Sequence, residues 1–183
     1  MQKQWLMTLQ RMPASGRSWD AVISADLLGD EQSGKVDAIP GLVSDVHWSA
    51  SLQRSGDVFH LSGEWSTAIR RECCRCTAPF DWQVASVMER DFQLGDAQHD
   101  ADARDTEAGE GVCELLPAPG ELDLLDVLRE DIWLAWKADV VCSEACKGLC
   151  LGCGCNLNTE ACSCTRDESD HPFAALRKLK LNG

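Results

Sequence analysis

Seven of the chain's eleven cysteines fall within twenty-three residues, as Cys142, Cys146, Cys150, Cys153, Cys155, Cys162 and Cys164. No other feature restricts the fold so strongly. Cys150-Leu-Gly-Cys153-Gly154 has the form of a knuckle: two thiolates reach one tetrahedral ion from a tight turn, and the glycine after the second lets the backbone fold back toward the sulfurs. The N-terminal residues carry no apolar run with a cleavage site, and no stretch is apolar and long enough to span a bilayer, so a cytoplasmic location is expected. Thiols stay reduced there, and knuckle spacing with an odd cysteine count favours a metal, expected to be zinc, over disulfides.

Eleven cysteines can supply two four-thiolate sites with three left over. Cys150, Cys153, Cys162 and Cys164 make two local pairs around an eight-residue loop and are read as one site, although Cys162-x-Cys164 is tighter than the usual pair. Cys142 and Cys146 then need partners, and Cys73-Cys74-Arg75-Cys76 offers its outer two at knuckle spacing. The second site is therefore read as Cys73, Cys76, Cys142 and Cys146, with Cys74, Cys113 and Cys155 spare. Spacing limits this pairing without fixing it, and the competing reading of Cys73 and Cys76 is buried strand cysteines. Cys146-x-x-x-Cys150-x-x-Cys153 also has the spacing of a four-iron cluster in radical enzymes, but only 30 residues follow Cys153, too few for the barrel such enzymes need. A thiol oxidoreductase is disfavoured because neither Cys-x-x-Cys lies in a βαβ unit. Among the scattered histidines, His47 and His60 are expected on the solvent side of strands, and His171 is a minor candidate as a substitute ligand.

Elsewhere the apolar pattern points to an α+β fold: an antiparallel β-meander with one packed helix, then a small cysteine-rich knuckle segment and a short C-terminal helix. Trp5, Met7 and Leu9 suggest an edge strand. Ser15 to Pro40 reads as loop with at most one short helix near Trp19 to Leu28. From Val43 apolar residues recur at every second position through three runs, around Trp48, from Val58 to Arg70, and from Phe80 to Phe92, with a turn at Arg54 to Asp57. Cys73 to Cys76 sits at the hairpin tip between the second and third. Val112 to Leu116 is a candidate fourth strand. Asp123 is placed to cap a helix running to about Trp136, with Leu125, Leu128 and Ile132 on one face. Trp133 and Trp136 are read as core or its edge. Pro172, Phe173, Leu176 and Leu179 suit a short amphipathic helix over His171 to Lys180. Residues 1–141 thus form the core domain, with an acidic loop near 96–111, and residues 142–183 the metal-binding segment.

Lys plus Arg number 17 against 30 Asp plus Glu, a net charge of −13. Such a chain is repelled by phosphate backbones and drawn to basic partners. It carries no nucleophile elbow, phosphate loop or specific carboxylate pair, so nothing argues for an enzyme.

Glu72-Cys-Cys-Arg-Cys-Thr-Ala-Pro-Phe80, Gly120-Glu-Leu-Asp-Leu-Leu125, Leu134-Ala135, Cys146-Lys-Gly-Leu-Cys-Leu-Gly-Cys-Gly-Cys-Asn-Leu-Asn158 and Pro172-Phe-Ala-Ala-Leu176, in that order, resemble the YceD-type family, the large ribosomal RNA subunit accumulation proteins. The likeness runs from about Val43 to Lys180, departing where the family's helix runs into Leu-Pro and this chain has Trp136-Lys137. The resemblance implies a non-enzymatic accessory protein for ribosome biogenesis that supports 23S ribosomal RNA levels. Family members that lack the later cluster keep the hairpin Cys-x-Arg-Cys, as expected if Cys73 and Cys76 belong to a separate site. Charge then favours an indirect role, binding a basic ribosomal protein or an assembly factor. The gene neighbourhood usual in the family makes large-subunit protein thirty-two a candidate. Two alternatives are direct RNA contact through Arg70, Arg71, Arg75, Arg177, Lys178 and Lys180, and zinc storage or redox sensing.

Overall fold

A computed structural model describes residues 4–28, 38–95 and 113–164. They belong to two compact units, Met1–Arg71 with Phe80–Ala138 and Glu72–Pro79 with Asp139–Gly183. The acidic stretch at 96–111 and the segment His171 to Lys180 lie outside the described residues.

The fold is α+β. In the first unit β1 (Leu6–Thr8), β2 (Arg17–Ile23), the short helix α1 (Ala25–Leu28), β3 (Val46–Ser55), β4 (Val58–Glu72) and β5 (Pro79–Leu94) follow in order. They precede β6 (Cys113–Leu116), β7 (Glu121–Asp123) and helix α2 (Leu124–Leu134). The larger sheet has strand order β2-β3-β4-β5-β6, and β1 pairs with β7 in a separate two-stranded ribbon. The alternation that defines these strands buries Val46, Trp48 and Leu52 on β3, Phe59, Leu61 and Trp65 on β4, and Val84, Met88 and Phe92 on β5. His47 and His60 are exposed on the other face, where His60 pairs with Asp91 at 2.5 Å. The β3–β4 hairpin turns through Gly56 and Asp57, with Ser55 opposite Val58 and Gly56 at φ +62°.

Helix α2 begins where Asp123 caps it, its carboxylate accepting from the Leu125 amide at 3.0 Å. Leu124, Leu125, Leu128 and Ile132 are buried in the core. Two polar contacts fix the helix: Trp65 Nε1 donates to Asp131 Oδ2 at 2.5 Å, and Arg90 reaches Glu130 at 3.5 Å and Asp131 at 3.8 Å. Trp136 is half-buried against the core, and Trp133 stacks on it with ring centroids 5.1 Å apart.

Three details refine or correct the sequence reading. Arg17–Ile23 is a strand rather than loop or helix, paired along its whole length with Arg17 opposite Leu52 and Ile23 opposite Val46; only Ala25–Leu28 is helical. The alternation of Trp19, Ala21 and Ile23 carried that signal, but flanking acids and glycines masked it. The edge strand expected around Trp5 to Leu9 is present as β1 and pairs with β7 in the small ribbon. The fourth strand of the expected meander, β6, runs parallel to β5, with Asp91 opposite Cys113 and Leu94 opposite Leu116, so the sheet is mixed. Antiparallel return needs only a tight turn, whereas the long link from Leu94 to Cys113 permits a parallel approach.

Candidate metal centre

The second unit begins where β4 gives way to the knuckle turn at Cys73. The Arg75 amide donates to Cys73 Sγ at 3.4 Å, and Thr77 N–H returns to the Cys73 carbonyl at 2.9 Å. Thr77, directly after Cys76, adopts φ +58°. The same construction recurs at Cys150-x-x-Cys153: the Gly152 amide donates to Cys150 Sγ at 3.4 Å, and Gly154, directly after Cys153, has φ +75°. Both turns need a left-handed residue at that place, which glycine adopts without strain and threonine only at a cost of about 1 kcal/mol or more.

Among the described residues two groups of cysteines bring their sulfurs together, Cys73, Cys76, Cys142 and Cys146 in one and Cys150, Cys153, Cys162 and Cys164 in the other, each set lying within 4.8 Å. In the first, Cys73 and Cys146 are 3.7 Å apart, as are Cys76 and Cys142. In the second, Cys153 and Cys162 are 3.6 Å apart and Cys150 and Cys162 3.3 Å. All eleven cysteines are free thiols. A zinc–sulfur bond of about 2.3 Å places two sulfurs of a tetrahedron about 3.8 Å apart, whereas a disulfide would bring them to about 2.05 Å. The donor sets therefore fit a tetrahedral thiophilic ion, and either cluster could hold one. Gly152 leaves room for this packing, since a Cβ there would lie 3.3 Å from Cys164 Sγ.

The clusters differ in setting. Cys73, Cys76 and Cys146 are buried, whereas Cys153 and Cys164 are exposed. Burial pushes the Cys73 thiol up, but hydrogen bonds from the backbone at Cys142, Cys76 and Arg75 outweigh it and hold that thiol at about 6. Backbone hydrogen bonding at Cys153, then the Cys162 thiol and the Gly152 backbone, hold Cys150 at about 6 as well. Thiols asked to ionise beside these are pushed up to about 12: Cys142 through its hydrogen bond with Cys146, and Cys164 through its hydrogen bond with Cys162. Four sulfurs so close together share few negative charges until a cation supplies the balance.

Two residues without an assigned part in the sequence reading tie the clusters together. Asn158 donates through Nδ2 to Cys146 Sγ at 3.4 Å while its Oδ1 accepts from the Lys147 amide at 2.8 Å, so the loop of the second cluster supports a sulfur of the first. The Asn-x-Asn spacing after Cys155 was the available signal, since Asn156 Oδ1 in turn accepts from the Asn158 amide at 3.0 Å. Gly148 lies against the Arg75 carbonyl, which accepts from the Leu149 amide at 3.0 Å. Of the three spare cysteines, Cys74 is exposed and Cys113 and Cys155 are half-buried, and none belongs to either group. His171 lies outside the described residues.

The hairpin arginines are all engaged. Arg70 pairs with Asp81 at 2.6 Å. Arg71 donates to the Lys137 carbonyl at 2.9 Å and lies 4.0 Å from the Trp136 ring centroid and 5.6 Å from that of Trp82. Arg75 reaches the carbonyls of Glu144 and Cys146 at 3.4 and 3.3 Å.

An Arabidopsis thaliana protein named large ribosomal RNA subunit accumulation protein YCED homolog 1, chloroplastic, is 38% identical over 64 residues, covering 35% of this chain and 20% of that protein. Its namesake in Zea mays is 48% identical over 48 residues, covering 26% of this chain and 16% of that protein. The chain thus matches about a fifth or less of the length of these relatives. No solved structure matches. The profile of the family described as large ribosomal RNA subunit accumulation protein YceD matches residues 61–180, well over half of the chain, from β4 through both cysteine clusters. The chain belongs to the YceD family.

Proposed function

We propose that this protein is a non-enzymatic accessory factor in large-subunit biogenesis that supports accumulation of 23S ribosomal RNA, and that two zinc ions hold its cysteine-rich unit in shape. The observation that carries the reading is the pair of four-sulfur clusters at tetrahedral spacing in a chain of this family. Cys73, Cys76, Cys142 and Cys146 would hold one ion and Cys150, Cys153, Cys162 and Cys164 the other. Four protein ligands close the coordination sphere, which suits a structural ion; a catalytic one keeps a position open for water or substrate. Free thiols throughout suit a reducing compartment such as the cytoplasm. No helix among the described residues is long and apolar enough to cross a membrane.

The net charge of −13 supports a basic partner, either an assembly factor or a ribosomal protein with large-subunit protein thirty-two as the candidate. Direct RNA contact is less well supported, because Arg70, Arg71 and Arg75 are each engaged within the chain. Affinity capture from growing cells in mild salt, identifying both protein and RNA, tests the reading. Enrichment of large-subunit assembly particles is expected; RNA bound by the purified protein with affinity falling steeply with salt would favour direct contact instead. Elemental analysis should find two zinc ions per chain, and chelation should unfold the cysteine-rich unit, whereas a storage protein would lose metal readily and keep its fold.

A further inference from the structure

Strand β5 is sixteen residues long, with β4 along one side. On the other side β6 covers only Asp91 to Leu94, so among the described residues nothing pairs with the outer edge from Phe80 to Arg90. Exposed edges invite pairing with another chain, and proteins guard them with lysines, prolines or bulges. Between Phe80 and Met88 there is no lysine and no proline, and Asp81 is the single charge. The outward row is Asp81, Gln83, Ala85, Val87 and Glu89, with Val87 70% exposed, while Val84 and Met88 are buried beneath. An added strand would thus meet an apolar centre with Glu89 at one end and Asp81, already paired with Arg70, at the other, and the parallel strand β6 would bound it at Asp91.

We propose that this edge takes an extended basic segment of a partner protein as an additional strand. The inference rests on the basic partner of the proposed function and names the surface that partner would use. Eleven residues of strand span about 36 Å and supply about one backbone hydrogen bond for each residue paired. Affinity would come from the backbone, and selection from side chains: Lys or Arg near Glu89 and small apolar residues over Ala85 and Val87. A second copy of this chain is the poorer occupant, because each carries −13.

Hydrogen exchange read by mass spectrometry on the full chain tests this, with the ten-residue peptide (Lys-Val)5 as probe at physiological salt. The peptide is expected to slow exchange across Phe80 to Arg90 about tenfold, and Val87→Lys or Glu89→Lys to weaken its binding by roughly tenfold. A peptide of the same composition, N-methylated along one edge, should protect nothing. Equal protection by the methylated peptide would overturn the proposal by showing charge attraction alone. So would protection elsewhere only, edge amides already slow in the free protein, or protection that rises with protein concentration without peptide, which would make a second copy the occupant. No ribosomal component is present, so this test can fail while capture from cells succeeds, and the reverse.

Discussion

Two glycines of the cysteine-rich unit share a backbone conformation and differ in surroundings, which makes them a matched pair. Gly148 and Gly154 both have φ +75°. A Cβ at Gly154 would meet nothing within 4 Å, whereas one at Gly148 would lie 3.0 Å from the Arg75 carbonyl oxygen. Substituting alanine at Gly154 should therefore cost only the left-handed conformation, about 1 kcal/mol. Gly148→Ala carries the same cost and must also push away a carbonyl that accepts the Leu149 amide at 3.0 Å, adding about 1 kcal/mol for the weakened bond. In local opening this corresponds to about fivefold against about thirtyfold. The assay is amide exchange of Leu149 and of Leu157, whose N–H donates to the Gly148 carbonyl at 3.0 Å, in metal-loaded protein. Equal acceleration in the two variants, or unchanged Leu149 exchange in Gly148→Ala, would refute the claim that this close approach holds the knuckle against the hairpin tip.

Other outcomes follow from the same contacts. Trp65→Phe removes the donor to buried Asp131 and should lower stability to denaturant by about 1–3 kcal/mol. Asp123→Ala should cost about 1 kcal/mol by the same measure, with helix α2 fraying from its first turn. Metal affinity should fall with pH, since protons compete for the thiolates. With Cys73 and Cys150 held at about 6, each metal-free cluster already carries a thiolate at neutral pH. Titration with a chromophoric chelator should thus show the dependence of log affinity on pH steepening by about one proton per site below pH 6, and a constant slope through that value would count against the arrangement.

Much of the fold was legible because period-two burial over β3, β4 and β5 is long and clean, and because Asp123 announces a helix whose apolar stripe follows at once. β2 was not, since its outer face carries Ser18, Asp20 and the exposed Val22, and its alternation is brief. The parallel setting of β6 lies beyond any local signal, because register between strands is fixed by tertiary packing. At the clusters, spacing together with the count of sulfurs led to the two groups that the structure brings near one another, as Cys73-x-x-Cys76 and Cys150-x-x-Cys153 each confine two of them to one turn. Arg75, named in the alternative of direct RNA contact, is exposed and directs its guanidinium to the carbonyls of Glu144 and Cys146, a use that no sequence pattern announces. Asn158 was given no part because the Asn-x-Asn spacing after Cys155 marks a local turn without saying that its amide reaches the sulfur of Cys146.

The two clusters close very different lengths of chain. Cys76 and Cys142 are 66 residues apart, with β5, β6, β7 and α2 between them, while Cys150 and Cys162 are separated by 12. Closing the longer loop costs about 1.5 kcal/mol more in chain entropy. The ligands of the hairpin cluster are complete once Cys146 has been made, ahead of Cys150 to Cys164, but they must meet across the longer loop, whereas the later cluster assembles from its own few residues. An ion seated among Cys73, Cys76, Cys142 and Cys146 would therefore clasp the two ends of a stretch that includes β5, β6, β7 and α2, whereas one among Cys150, Cys153, Cys162 and Cys164 would fix only its own loop.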